Sequence, residues 1–131
     1  MRIFLVRSLA RFVRRENISL VRLREAIARA EKGSIDADLG GGLIKQRIAR
    51  PGSGRSGGYR TIIAYRSGSR AVFLYGFAKN ERDNIDSDEL VELRKVGANW
   101  LNAANETLAS ALEDGALKEV TDDQKENDSA H

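Results

Sequence analysis

Along this chain, apolar positions open with a short block, pass through two stretches at helical spacing, alternate through the middle and return to a helical rhythm towards the end. Residues 3–6, IFLV, form a brief apolar block and predict a strand. Ser8 is placed to cap a helix over residues 9–16, in which Leu9, Phe12 and Val13 share one side, and Asn17 breaks it. Ser19 predicts the N-cap of a second helix running to about Lys32, with Leu20, Leu23, Ile27 and Ala30 at helical spacing and Gly33 at its C-cap. Residues 36–42 contain three consecutive glycines and predict a loop or a short edge pairing. Residues 43–50 alternate as a strand, so Lys45 and Arg47 face the same way. Pro51 and the Gly/Ser run behind it end that strand. Residues 59–66, rich in Ile, Thr and Tyr, predict a second strand, and Ser67-Gly68-Ser69 a tight turn. Residues 71–78 are apolar on both faces, which predicts a central strand. Its alternation sets Phe73, Tyr75, Phe77 and Lys79 on one side.

Asp86 or Ser87 then caps a long helix, with Glu89 completing a capping box with Asp86. Its stripe is Leu90, Leu93, Gly97, Trp100, Ala104, Leu108 and Ala111, and Gly115 ends it near Asp114. Residues 121–131 are polar and aperiodic and predict a disordered tail, leaving residues 1–120 as one folded domain. Strand, two helices, sheet and helix in that order predict an α+β fold on an antiparallel sheet.

Composition narrows the chemistry. The chain has 131 residues, 41% of them apolar, enough for one domain with its own core. It has no cysteine, and its one histidine is His131, the last residue. A disulfide frame, a thiolate metal site, a two-histidine metal site and histidine acid–base catalysis are thereby excluded. No cofactor or metal is expected. The apolar start is cut by arginines and lacks a signal-peptide layout. No run approaches the ~20 residues of a membrane span, so a cytoplasmic protein without membrane attachment is expected.

Charge adds the functional clue. The net charge of +3 hides an asymmetry: residues 1–60 carry +9 and residues 61–131 carry −6. Within residues 45–82 the basic residues are Lys45, Arg47, Arg50, Arg55, Arg60, Arg66, Arg70, Lys79 and Arg82, and the only acid is Glu81. Strands with this much positive charge predict a polyanion-binding surface. In RPGSGRSGGYR, residues 50–60, glycine-rich backbone can wrap a phosphate with charge from Arg50, Arg55 and Arg60, or form a mobile hairpin loop. It is not a P-loop, because no Lys-Ser/Thr follows and strands flank it. Arg60 is placed for bidentate phosphate binding, the alternative being a surface strand arginine. Lys79, Glu81 and Arg82 stand at a strand–loop junction, where a scaffold fixes site residues, or form a salt-bridged cluster. Tyr59 is a candidate for base stacking, whereas Tyr65, Tyr75 and Trp100 read as packing residues. The arginines of the first two helices form a solvated face or a dock for an acidic partner.

Two stretches, GGLIKQRIARPGSGRSGGYRTIIAYR and FLYGFAKNERDNI, resemble the HigB branch of the RelE/ParE toxin superfamily, and the likeness covers roughly residues 2–112. The resemblance implies a RelE-like fold: a small twisted antiparallel sheet with two N-terminal helices and a long C-terminal helix, all packed on one face, leaving a basic concavity open. It implies the toxin of a type II toxin–antitoxin pair, a ribosome-dependent mRNA endoribonuclease, or mRNA interferase, that inhibits translation by cutting mRNA in the ribosomal A site. The implied partners are the ribosome, mRNA and a cognate helix-turn-helix antitoxin, HigA-like, through which alone the toxin meets operator DNA. By position, Arg60 resembles the sheet arginine at the scissile phosphate and Lys79 the lysine ending the last strand. Lys45 and Arg47 resemble the basic pair on the preceding strand. The chain departs from RelE at Asn80, where RelE has arginine, and it lacks a tyrosine after Tyr75. Glu81 and Arg82 therefore join Arg60 and Lys79 as expected catalytic residues, with Lys45, Arg47, Arg50, Arg55 and Tyr59 as expected RNA contacts. The expected chemistry is metal-free attack of a ribose 2′-hydroxyl on the adjacent phosphate. Glu81 would accept the proton or hold Arg82 in place. The rival readings are a ParE-like DNA gyrase poison and a non-catalytic RNA- or DNA-binding module.

Overall fold

The computed structural model describes residues 1–50, 54–82 and 84–121, with backbone alone at 54–56. In chain order the elements are β1 (Arg2–Val6), α1 (Arg7–Arg15), α2 (Leu20–Glu31), β2 (Ala37–Gly40), β3 (Leu43–Arg50), β4 (Gly54–Arg66), β5 (Arg70–Ala78), α3 (Ser87–Asn102), α4 (Asn105–Asp114) and β6 (Leu117–Val120). The strands join in one sheet in the order β2-β3-β4-β5-β1-β6. β2 to β5 form an antiparallel meander, β1 lies parallel to β5, and β6 closes on β1 antiparallel. The mixed α+β architecture agrees with the RelE-like expectation, with one parallel pairing inside it.

Helices cover both faces of the sheet, not one as expected. On the first face, Leu9 and Phe12 of α1 and Leu23 and Ile27 of α2 pack on Ile44, Ile48, Tyr59, Ile63 and Phe73. On the second, Leu101 of α3 and Leu108 of α4 pack with Leu43, Ile62, Ala64, Val72 and Leu74. The reason is in the strands: neighbours such as Leu43–Ile44, Ile62–Ile63 and Val72–Phe73 are all buried, so both faces need a cover. α3 seats itself at Gly97, where an added Cβ would lie 3.0 Å from the Ala64 Cβ and 3.0 Å from the Leu43 side chain.

Several boundaries follow local chemistry. The Ser19 hydroxyl accepts the Arg22 N–H, and Asp86 and Glu89 form the reciprocal capping box. Ser8 is not a cap: α1 starts at Arg7, straight out of β1, and the Arg7 N–H goes to the Ala116 carbonyl instead. The single long C-terminal helix is two helices, because Ala103 and Ala104 adopt extended backbone with ψ of 139° and 158°. The carbonyls that end α3 are taken by guanidinium groups from the β4–β5 hairpin. Arg70 donates to Trp100, Leu101 and Ala103, and Arg66 to Leu101. Arg7 does the same for α4 at Asp114 and Gly115, after which the chain forms β6, which the sequence pattern did not predict.

Two expectations on β4 and β5 also change. β4 begins at Gly54, so much of the glycine run is paired strand rather than loop; residues 51–53 lie outside the described part. The β5 alternation slips opposite Ile62 and Ile63, so Phe73 faces α1 and α2 while Tyr75 turns to the α3 side. Of the expected tail, residues 121–131, all but Thr121 lie outside the described residues.

Candidate functional site

Register builds the site. Across β3, β4 and β5 the facing residues are Lys45, Ile62 and Tyr75 in one row and Arg47, Arg60 and Phe77 in the next. Both rows continue the sheet face that α3 covers further along, at Leu43 and Ala64. Directly opposed side chains start roughly 4.5–5.5 Å apart at Cβ, and diagonal neighbours remain within reach of long side chains. Lys45, Arg47 and Arg60 therefore form one cationic group, bordered by Tyr75 and Phe77. Arg47 is exposed, Lys45 is half-buried, and Arg60 is only 6% exposed. Charge held in such a partly desolvated place acts on a bound anion more strongly than at the open surface.

Gly58 fixes the geometry at the head of this face. An added Cβ there would fall 2.1 Å from the Ile48 carbonyl oxygen, beside the irregular pairing between Ile48 and Arg50. Only glycine lets the two backbones approach this closely. Arg60 follows two residues later, so the GGYR run sets where the arginine emerges. The Gly58 carbonyl accepts the Lys79 N–H at 3.1 Å and brings the end of β5 to the same edge. The ammonium of Lys79 and the carboxylate of Glu81 are exposed, and neither has a side-chain partner among the described residues.

Arg82 is held in a different way from that expected. Its Nη2 and Nη1 donate to the two Glu89 oxygens at 2.7 and 3.1 Å, its Nε to the Asn84 carbonyl, and Nη1 also to the Tyr75 hydroxyl at 3.1 Å. The guanidinium lies over the Phe77 and Tyr75 rings, at 5.5 and 5.9 Å. Glu89, not Glu81, thus anchors Arg82. These bonds hold Arg82 well above the ordinary arginine value. Glu89 is pulled down to about 2, first by Arg82 and then by the Asp86 N–H. One carboxylate serves both the α3 capping box and this latch. The capping motif was legible, but nothing in the spacing singled out its second role.

Other expected site residues are placed elsewhere. Tyr59 is 3% exposed and turns to the opposite face, where its ring meets Phe12 edge-on at 5.7 Å and its hydroxyl donates to Glu16 at 3.1 Å. Arg50 lies over that ring at 5.0 Å and pairs with Glu16 at 3.6 Å. Both share the strand parity of Ile48 or Ile63, which is the α1/α2 parity, so neither reaches Arg60. Tyr59 is a packed residue with no face open for a base. Arg66 and Arg70 are committed to α3. The side chain of Arg55 lies outside the described part.

A family model described as the RelE toxin of the RelE/RelB toxin–antitoxin system matches residues 1–120. The chain belongs to the RelE toxin family. RelE toxins work in pairs with an antitoxin and are generally mRNA-cleaving. A search of curated proteins finds no match. No helix among the described residues is long and apolar enough to cross a membrane.

Proposed function

We propose that this RelE-family toxin is a ribosome-dependent, metal-independent mRNA endoribonuclease of the HigB type, inhibited by a cognate helix-turn-helix antitoxin and active in the cytoplasm. The observation that carries the reading is the register-matched group Lys45, Arg47 and Arg60 on one sheet face, beyond the part that α3 covers at Leu43 and Ala64, with Lys79 at its edge. The exposed cations, Arg47 and Lys79, draw the mRNA backbone in. Arg60, closer to the sheet, takes the scissile phosphate.

In the reaction, the ribose 2′-oxygen attacks phosphorus, the bond to the 5′-oxygen breaks, and the products are a 2′,3′-cyclic phosphate and a 5′-hydroxyl end. Charge grows on the non-bridging oxygens, and fixed cations at a developing oxyanion are worth about 3–4 kcal/mol each. Arg60 and Lys79 fill that role. Glu81 accepts the 2′-hydroxyl proton; Arg82, bound to Glu89, stiffens the loop that carries Lys79 and Glu81. With no histidine among the described residues to activate the nucleophile, alignment of the mRNA by the ribosome supplies much of the rate.

Primer extension on mRNA translated in vitro, with and without ribosomes, tests this reading. Ribosome-dependent cuts are expected with the wild type and none with Arg60→Ala, while mRNA binding by the variant persists. Rapid cutting of naked RNA would refute the ribosome dependence. Intact mRNA in every lane, with loss of gyrase supercoiling activity, would replace the nuclease with a gyrase poison.

A further inference from the structure

Three tyrosine hydroxyls lie in this domain, and two are already donated. Tyr59 donates to Glu16, and Tyr65 to Glu31. Tyr75 differs. Arginine has donors only, so in the Arg82–Tyr75 bond the phenol oxygen is the acceptor. The phenol proton is therefore unspent, and among the described residues it has no acceptor. The ring is half-buried, on the same sheet face as Arg60 and diagonal to it, one row from the Arg60–Phe77 pair. It is also clamped: the Phe77 ring lies 5.8 Å away, and the Arg82 guanidinium is tied in turn by two bonds to Glu89.

We infer that Tyr75 is the acid that protonates the departing 5′-oxygen, with Arg82 and Glu89 as positioning residues that hold the phenol and stabilise the phenolate it becomes. This rests on the nuclease reading above. As the O2′–P bond forms, the 2′-hydroxyl proton passes to Glu81. As the P–O5′ bond breaks, O5′ takes the phenol proton. The phenolate left behind keeps its hydrogen bond from Arg82 until solvent returns a proton, and Glu81 gives one up. Glu89 stays ionised throughout the neutral range, because Arg82 and the Asp86 N–H stabilise its charge, so the latch persists through the cycle.

The test uses ribosomes programmed with mRNA that carries a single bridging sulfur in place of the 5′-oxygen at the mapped cleavage site. A thiolate leaves without needing a proton. Tyr75→Phe is expected to cut the oxygen mRNA roughly 100-fold more slowly than wild type, the usual scale for a lost general acid. On the sulfur mRNA it is expected to approach the wild-type rate. Glu89→Gln, which loosens Arg82, gives a smaller loss with the same rescue, whereas Arg60→Ala loses both substrates alike. If Tyr75→Phe cuts the oxygen mRNA at the wild-type rate, or remains folded by circular dichroism yet fails equally on both substrates, Tyr75 is not the acid. If wild-type protein cuts neither mRNA on ribosomes, the nuclease reading itself falls, and the role of Tyr75 with it.

Discussion

Gln46 is the polar residue whose loss should be felt most widely. It is fully buried on β3, on the α1/α2 side of the sheet between the two residues that carry site cations. Its Nε2 donates to the Ala26 carbonyl at 2.8 Å and the Ser34 carbonyl at 3.2 Å, and its Oε1 accepts the Asp36 N–H at 2.8 Å. These bonds tie α2 and the following loop to β3, and so hold the strand that presents Lys45 and Arg47. Gln46→Leu keeps the volume and removes all three bonds. At roughly 1 kcal/mol net per neutral hydrogen bond the loss is about 3 kcal/mol. The greater hydrophobicity of leucine returns about 1 kcal/mol, on the order of one buried methylene. The expected net loss of about 2 kcal/mol lowers Tm by roughly 8 °C for a domain of this size. Gln46→Glu is expected to be worse. It sets a carboxylate oxygen against the Ala26 and Ser34 carbonyls in a buried place, and part of its deficit should return on acidification as the group protonates. Thermal and urea unfolding followed by circular dichroism measure both variants against wild type. A Leu variant melting within ~2 °C of wild type would refute the accounting for these bonds. So would a Glu variant no less stable than the Leu variant at neutral pH.

Further outcomes follow from other contacts. Glu89 falls from 4.5 in the unfolded chain to about 2 in the folded one, so its contribution to stability is complete above about pH 4.5 and drains away as pH falls towards 2. Glu31 and Glu119 shift in the same direction. Melting curves between pH 5 and 2 should therefore fall less steeply for Glu89→Gln than for wild type, and parallel slopes would rule out the latch as a source of acid sensitivity. Arg70→Ala removes a half-buried donor from three carbonyls at the end of α3 and is expected to lose about 2 kcal/mol of stability, with mRNA cleavage per folded molecule unchanged. Cleavage assayed well below the melting temperature separates the two effects. Gly97→Val drives a branched side chain into Ala64, Leu43 and Leu74 and should lose about 1–3 kcal/mol by overpacking, measured by urea unfolding.

Much of the fold was legible because its signals are local. Alternation over residues 43–50 placed β3 to the residue and set Lys45 and Arg47 on one face. The Ser19 cap and the Asp86/Glu89 capping box depend on neighbours three residues apart, and both are present. The slip in β5 was not legible, since a bulge is decided by pairing with β4, and it moved Phe73 away from Tyr75. Nor was the break at Ala103, because the Ala104, Leu108 and Ala111 spacing continues the stripe and the arginines that cap α3 come from another element.

The basic stretch shows the same division. Its composition pointed to a polyanion surface and strand alternation grouped Lys45 with Arg47, whereas Tyr59, expected beside Arg60, lies on the opposite face because adjacent strand residues alternate. What several of its arginines do was settled by partners outside the stretch: Arg70 by the end of α3, Arg50 by Glu16, Arg82 by Glu89. A guanidinium on a long flexible stem takes the acceptor that the packed elements bring to it. Sequence therefore determined how much positive charge this domain carries and on which strands, while tertiary packing decided which of those charges cap helices, which pair with carboxylates and which gather on the Lys45–Arg47–Arg60 face.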